Sequence, residues 1–349
     1  MASKQLEQFG DLVQLTLDKY IRSDYTNLLT DLQRFPAASQ LIQKSRMSHQ
    51  AGTQIRWQVR LGTANSYEHI TPTTPDQAAI TDDFDDAYIP FRKVKVSYAF
   101  LEEMVDFQAG PEKIVDLVKA KEAGADHDFI EGIERDYWAF PSASDTNTFR
   151  SLPYWVVKSA TAGFTGGHPT GYSDVAGLSA TTYPRWKNYA APYTAVTLDD
   201  FVLAARTMAE KTFFEPSVAN VPDLGKASPN SRGYYTTLTV KQTIENIVDS
   251  RNDNLGFDIA SSDGKAMFRR APVNWVPVLD ADTTNPFYQI NWDVFKTIVK
   301  TGYWNARTVI KPVPGMRNMV AVYKDTWMNF ACFNRRVLGV LSTGTTYPS

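Results

Sequence analysis

The chain has 349 residues, 43% of them hydrophobic and 21% charged, with a formal net charge of −2. That length exceeds one small core and implies two or three folded units, while the near-neutral balance excludes a chain held to nucleic acid by an overall basic field. The one cysteine, Cys332, excludes internal disulfides and cysteine-rich metal sites; in its apolar run it reads as a small buried hydrophobe, in keeping with a reducing compartment. No apolar run approaches the roughly 20 residues of a membrane span, and Met1–Glu7 lacks the apolar stretch of a signal peptide, so a soluble, unexported chain without a membrane partner is expected.

Along residues 1–46, Leu6, Phe9, Val13, Leu17, Tyr20, Ile21, Leu28 and Leu32 recur at helical spacing and predict an amphipathic arm ending near Phe35 and Pro36, packed on its own domain or on a neighbour. Residues 53–61 alternate Ile55, Trp57, Val59 and Leu61 with Gln54, Arg56, Gln58 and Arg60. Residues 93–100 repeat the period, with Val94, Val96, Tyr98 and Phe100 against Lys93, Lys95 and Ser97. The two strands are expected to pair as a ribbon. The excursion 62–92 between them, with Pro72, Pro75 and the acidic run Thr81–Asp86 at its far end, is far longer than a hairpin turn needs. A two-stranded ribbon is marginal by itself, so it is expected to lie on another subunit.

Gly110 and Pro111 open a helix running to Phe140, with Pro111 at its first position and Pro141 just past its end. Ile114, Leu117, Val118, Phe129, Ile130, Ile133 and Tyr137 form its apolar stripe, while Lys113, Asp116, Lys119, Glu122, Asp126 and Glu131 are expected to face away. At 1.5 Å per residue it spans about 44 Å, a spine rather than a connector. Residues 152–157 read as a strand, and Gly163–Gly171 as an irregular segment. Helices are expected from Thr197, with Asp200 three residues on, and from Thr239, with Gln242 in the same relation. Strands are expected at 275–279, 287–290, 320–323 and 327–341. Without a βαβ beat, the mixture indicates an α+β fold with largely antiparallel sheets.

Motifs for chemistry are scarce. Gly163, Gly166, Gly167 and Gly171 are not followed by the Lys-Ser/Thr of a phosphate loop, and His49, His69, His127 and His168 stand singly, away from metal-pair spacing. The Asp/Asn-rich stretch 249–263 lacks the ligand pattern of a calcium loop. No nucleophile motif occurs, so no catalytic, cofactor-binding or metal residue is assigned and no cofactor is expected. Asp82, Asp83, Asp85 and Asp86 suit a solvated loop; with Arg56, Arg60, Arg92, Lys93 and Lys95 on the flanking strands they also suit contact with complementary patches of other subunits. A rival from another class is an aromatic-rich carbohydrate-active enzyme whose nearest paired carboxylates are Glu102, Glu103, Asp199 and Asp200. Adjacent carboxylates on a helix point about 100° apart and do not face one another, which counts against it.

The order of arm, ribbon, spine helix and mixed domain closed by a late strand resembles the major capsid protein of tailed bacteriophages, the fold named after phage Hong Kong 97. Gly177-Leu-Ser-Ala-Thr-Thr-Tyr-Pro-Arg-Trp-Lys-Asn188, Ala271-Pro-Val-Asn-Trp-Val-Pro-Val-Leu-Asp280 with Phe287-Tyr-Gln-Ile-Asn291, and Asn334-Arg-Arg-Val-Leu-Gly339 are similar to segments seen in such coat proteins. The resemblance implies an N-terminal arm (1–47) and an extended loop with flanking strands (48–108). It also implies a peripheral domain (109–195 and 306–349) containing the spine helix 111–140, and an axial domain (196–305). It further implies a structural protein that assembles in the host cytoplasm as hexamers and pentamers into an icosahedral shell around double-stranded DNA. Its expected partners are itself, a separate scaffolding protein, a portal, decoration proteins, and the packaged DNA through weak contacts. A nanocompartment shell enclosing an enzyme shares the fold. Some relatives cross-link a ribbon lysine to a neighbour's asparagine; Lys93 and Lys95 lie at the ribbon's base, so no covalent cross-link is expected.

Overall fold

The computed structural model describes residues 32–62, 69, 83–101, 111–214, 231–249, 267–269, 271–310 and 318–348. Most of the expected arm, Asp82 and nearly all of the 249–263 stretch lie outside them. In chain order the elements are α1 (Pro36–Leu41), β1 (Met47–Gln50), β2 (Gln54–Arg60), β3 (Phe84–Pro90), β4 (Arg92–Leu101), α2 (Pro111–Trp138), α3 (Leu152–Trp155), β5 (Gly163–Gly166) and β6 (Asn188–Pro192). After a single wide turn (Leu198–Val202) come α4 (Leu203–Lys211), β7 (Arg232–Thr236), α5 (Leu238–Asp249), β8 (Met267–Phe268), β9 (Ala271–Trp275), β10 (Phe287–Asn291), β11 (Phe295–Lys300), β12 (Ala306–Ile310), β13 (Met319–Cys332) and β14 (Gly339–Ser342).

The expected ribbon partners are corrected. β2 pairs antiparallel with β3, from Gln54 opposite Pro90 to Arg60 opposite Phe84, whereas the 93–100 strand is β4 and pairs with β13, from Arg92 opposite Met328 to Leu101 opposite Met319. The acidic residues Asp85 and Asp86 are therefore part of the ribbon's return strand. Nor does the ribbon rest wholly on a neighbour: Ile55, Ala87 and Ile89 are buried in the chain's own core, and Trp57 packs edge-on against Phe333 at 5.4 Å.

β13 is the axis of a five-stranded sheet. β11 pairs with it from Phe295–Cys332 to Val299–Met328, and β12 takes over from Ala306–Asp325 to Ile310–Ala321, so the two are one strand line interrupted by a bulge at 301–305. Gly302 (φ 81°) and Asn305 (φ 50°) supply the left-handed backbone this bulge requires. β1 adds in parallel to β11. The other sheet has seven strands in the order β5-β6-β14-β10-β7-β9-β8.

One face of the β4–β13 sheet is covered by α2. Glu122, expected to face away from the helix stripe, points instead at the sheet: its Oε1 accepts from Lys324 Nζ at 2.5 Å and Arg307 Nη2 at 2.9 Å, and Tyr98 donates its hydroxyl to Oε2. Asp126 also turns to the sheet, 2.6 Å from Lys324 Nζ. Buried Lys324 is thus matched by two carboxylates, the condition under which an ammonium tolerates burial. Near the other end of α2, buried Glu134 accepts from the amides of Ala37 (3.2 Å) and Ala38 (2.7 Å) and from Trp138 Nε1 (2.7 Å), fastening the start of α1. Burial pushes that carboxyl up, and the three donors pull it back.

Five further expectations are corrected. Residues 152–157 begin with the helical turn α3, because Pro153 suits a first turn and the aromatic side chains are buried whichever backbone carries them. Gly163–Gly166 is a short bulged strand rather than irregular. The helix expected from Thr239 starts at Leu238, with Thr237 Oγ1 accepting from Val240 N at 3.4 Å and Asp280 Oδ1 from Leu238 N at 2.8 Å. The 275–279 strand is β9 ending at Trp275, followed by a tight turn at Pro277–Ala281. The late run is one strand of 14 residues ending at Cys332, then a turn, then β14.

Arg335, in the turn that carries the chain from β13 of one sheet to β14 of the other, is fully buried. Its Nε donates to Trp155 O (2.8 Å), Nη1 to Trp186 O (2.8 Å), and Nη2 to Gly167 O (2.8 Å), with Gly166 O and Asn188 Oδ1 at 3.3 Å. Asn188 in turn clamps Val157 through N–H (2.9 Å) and C=O (3.0 Å). Burial pushes the guanidinium down to about 10, still charged at neutral pH. Lysine cannot reach these acceptors with a single ammonium, so Arg335→Lys is expected to cost about 2–4 kcal/mol in urea denaturation of the full chain. Cys332 is buried as expected and its thiol is pushed up to about 12, so a thiol reagent at pH 8 is expected to label nothing in the native chain and one thiol in urea.

Candidate inter-subunit surface

The ribbon has two unlike faces because side chains alternate along each strand. Ile55, Trp57 and Val59 of β2 with Asp85, Ala87 and Ile89 of β3 turn towards the body, and Arg56, Gln58 and Arg60 with Phe84, Asp86 and Tyr88 turn outwards. Phe84 is 59% and Tyr88 46% exposed, an unusual outlay of apolar surface for a strand.

The acidic residues have divided roles. Asp83 pairs with Arg60 at 3.1 Å, and its carbonyl accepts from Leu61 and Gly62. Asp85 accepts from Tyr183 Oη at 2.8 Å and so ties the ribbon to the 177–188 segment. Asp86 is exposed on the outer face, opposite Gln58. Arg56 Nη2 donates to Gln54 Oε1 at 3.3 Å, and the Arg56 carbonyl accepts from Gln50 Nε2 at 3.4 Å. The ribbon is further seated by Tyr88 N donating to Ala176 O at 3.0 Å, beside Gly177.

Lys93 and Lys95 are not on the ribbon. They lie on the face of the β4–β13 sheet turned away from α2, where Lys93 Nζ sits 4.0 Å from the Trp327 ring centroid and Lys95 Nζ 5.4 Å from that of Tyr323. Lys300 approaches Trp327 at 4.1 Å, and Tyr303, lifted by the bulge, stacks on Trp327 at 4.5 Å. Three ammonium groups and three rings thus share one open sheet face. Sequence reasoning missed Lys300, Tyr303, Tyr323 and Trp327; the traces were the alternation Tyr323, Asp325, Trp327 along one strand and a glycine and an asparagine flanking Tyr303. The structure does not bring the ribbon acids and these lysines together: among the described residues no ion pair joins them. Arg92 points into neither group and lies near Arg150.

Asp200 spends its carboxylate on Thr194 N (2.7 Å) and Ala195 N (3.0 Å), and Glu102 and Glu103 lie outside the described residues. Among the described residues no group of three or more His, Cys, Asp or Glu is arranged to hold a metal ion.

No protein-family model matches the chain, and no curated protein matches it in sequence. Solved structures do match. A chain of the cyanophage A-1(L) capsid asymmetric unit aligns with a TM-score of 0.62 at 15% identity, over 94% of this chain and 97% of that one. The chain has a phage capsid fold. The same capsid fold relates it to a chain from the capsid of an empty GTA particle, with TM-score 0.54, 9% identity and coverage of 93% and 95%. A third match is a chain of Microbacterium phage Oxtober96, with TM-score 0.51, 10% identity and coverage of 94% and 96%. The capsid fold is assigned to the chain as a unit, since nearly all of both partners is covered, and the α+β class expected from the sequence holds. At these identities backbone architecture is shared and side-chain chemistry is this chain's own.

Gly177 has φ 77°, and a Cβ there would lie 2.3 Å from the Tyr88 ring. Gly177→Ala is expected to lower the melting temperature and to speed proteolysis within the ribbon, while Gly302→Ala, at φ 81° in open space, costs backbone strain alone.

Proposed function

We propose that the chain is a major capsid protein, a structural rather than catalytic subunit that builds an icosahedral shell of hexamers and pentamers around the double-stranded DNA of a tailed phage. The observation that carries this is the near-complete backbone likeness to chains of phage and GTA capsids. Its location is then the virion capsid, after assembly in the host cytoplasm. Scaffolding protein, portal, decoration proteins and packaged DNA are its proposed further partners. The segments 1–47, 48–108, 109–195 with 306–349, and 196–305 are retained as arm, extended loop, peripheral domain and axial domain; the β2–β3 ribbon inside 48–108 and α2 inside 109–195 support that division.

The contact proposed between subunits is head-to-tail. The outer ribbon face of one copy, with Phe84, Asp86 and Tyr88, meets the open lysine and aromatic face of the next, Lys93, Lys95 and Lys300 around Trp327. Arg56 and Arg60 on the same ribbon face set the register against that neighbour's acidic groups. Donor and acceptor surfaces sit apart on one chain, and a heterologous contact of this kind forms a ring when its rotation closes. Exposed charge pairs contribute only about 0–1 kcal/mol each, so strength comes from repetition around the shell.

Negative-stain microscopy of the expressed chain is expected to show capsomers or closed particles; a monodisperse monomer with a cleft would remove the shell reading. For the contact, Asp86→Lys and the double variant Lys93→Glu with Lys95→Glu are each expected to lower particle yield at low salt. Their combination should restore it in part. Unchanged yield in both parents would defeat the pairing.

A further inference from the structure

Two buried cations of the chain are fully compensated. Arg335 spends its donors on carbonyls and Asn188, and Lys158 Nζ is held by Asp282 Oδ2 (2.5 Å), Thr284 Oγ1 (2.7 Å) and Thr346 O (2.9 Å). Arg92, the first residue of β4, is half-buried at the root of the ribbon, and no hydrogen bond or ion pair reaches its guanidinium among the described residues. Its Nε is buried without an acceptor.

Beside it is a second guanidinium. Arg150 lies between the rings of Tyr154 (4.8 Å) and Tyr172 (4.9 Å), and Nη1 donates to Tyr172 Oη at 2.5 Å. Its Nε is likewise buried and unpartnered. The backbone fixes its place: Arg150 N donates to Asn329 Oδ1 (2.9 Å), and Asn329 Nδ2 donates to Pro90 O (2.8 Å), two residues before Arg92. Burial lowers the Arg92 pKa, and the neighbouring charge of Arg150 lowers it further. Asp145 is the acid nearest in effect, but its Oδ1 caps Asn147 N at 2.7 Å and it forms no ion pair with either arginine. Two guanidinium groups carry ten N–H donors between them, and among the described residues the one side-chain acceptor in place is the Tyr172 hydroxyl.

We propose that Arg92 and Arg150 form a binding site for an oxyanion, a carboxylate or phosphate group seated between two guanidinium forks where the ribbon meets the β4–β13 sheet. An oxyanion supplies the missing acceptors in bidentate geometry and cancels the repulsion between the like charges. Tyr154 and Tyr172 hold Arg150 in one orientation, so half of the cradle is set before the anion arrives. The two sources of such a group are free inorganic phosphate and a carboxylate side chain of a neighbouring copy; only the second rests on the shell reading.

The test uses the full chain. Melting is followed in inorganic phosphate and in chloride at equal ionic strength, for the natural chain, Arg92→Gln and Arg92→Lys. The expected result is a rise of about 2–4 °C specific to phosphate in the natural chain, absent in Arg92→Gln and reduced in Arg92→Lys, whose single ammonium keeps charge without the fork. Particle yield is measured in parallel. Phosphate-specific stabilisation with unaltered yield in Arg92→Gln assigns the free anion, and reduced yield rescued only weakly by Arg92→Lys assigns the neighbour's carboxylate. Equal melting in the two salts together with natural yield in Arg92→Gln overturns the site. The melting measurement needs no assembly, so a chain that forms no particles yet responds to phosphate would end the shell reading and leave this one standing.

Discussion

A single dehydrated guanidinium organises the junction of the molecule. Arg335 carries a full charge into the interior with no carboxylate among its hydrogen-bond partners, and it draws Trp155, Gly166, Gly167, Trp186 and Asn188 around it through their oxygens. Dehydrating a charge costs several kcal/mol, and only a complete set of well-aimed dipoles offsets that. The arrangement is therefore unforgiving. At Gly166 a Cβ would stand 2.1 Å from Asn188 Oδ1, so even the glycine beside the hub is dictated by it. Two of the short segments that prompted the coat-protein resemblance, 177–188 and 334–339, contribute Asn188 and Arg335 to this one point.

The second organising unit is the seam between α2 and the β4–β13 sheet. Its charges are internal: Glu122 and Asp126 answer Lys324 and Arg307, and Tyr98 completes the set. The opposite face of the same sheet is built otherwise, with ammonium groups against rings and few acids. One sheet thus has a self-satisfied side and a side whose chemistry is unfinished, and the ribbon's outer aromatics and Asp86 are unfinished in the complementary sense. Under the proposed head-to-tail contact, these two surfaces complete each other.

The helices and strands were legible in the sequence far better than their partners. Period two marked β2 and β4, and Pro111 and Pro141 bracketed α2, because those signals are local. Which strand lies beside which is not local: β3 passed for an acidic loop since aspartate is poor in strands, and Tyr88 and Ile89 alone did not outweigh it. Glu122 was read as solvated because periodicity ranks residues by polarity and is blind to a cation such as Lys324, some two hundred positions later. At the candidate surface the charged residues were visible and their aromatic neighbours were not. Lys93 meets Trp327, and Lys300 meets Tyr303 only because a bulge lifts that ring, through contacts that no spacing rule along the chain encodes.

Between the return strand of the ribbon and the strand that joins the β4–β13 sheet there is one residue, Phe91. No slack separates the two, and Asn329 grips the carbonyl of Pro90 from within the sheet. A load applied to the finger's end is therefore delivered as torque to β4 and, through its ten-residue register with β13, to the whole platform beneath α2. The finger is a lever with its fulcrum inside the fold, and whatever grasps it on the outside also twists the body that carries it.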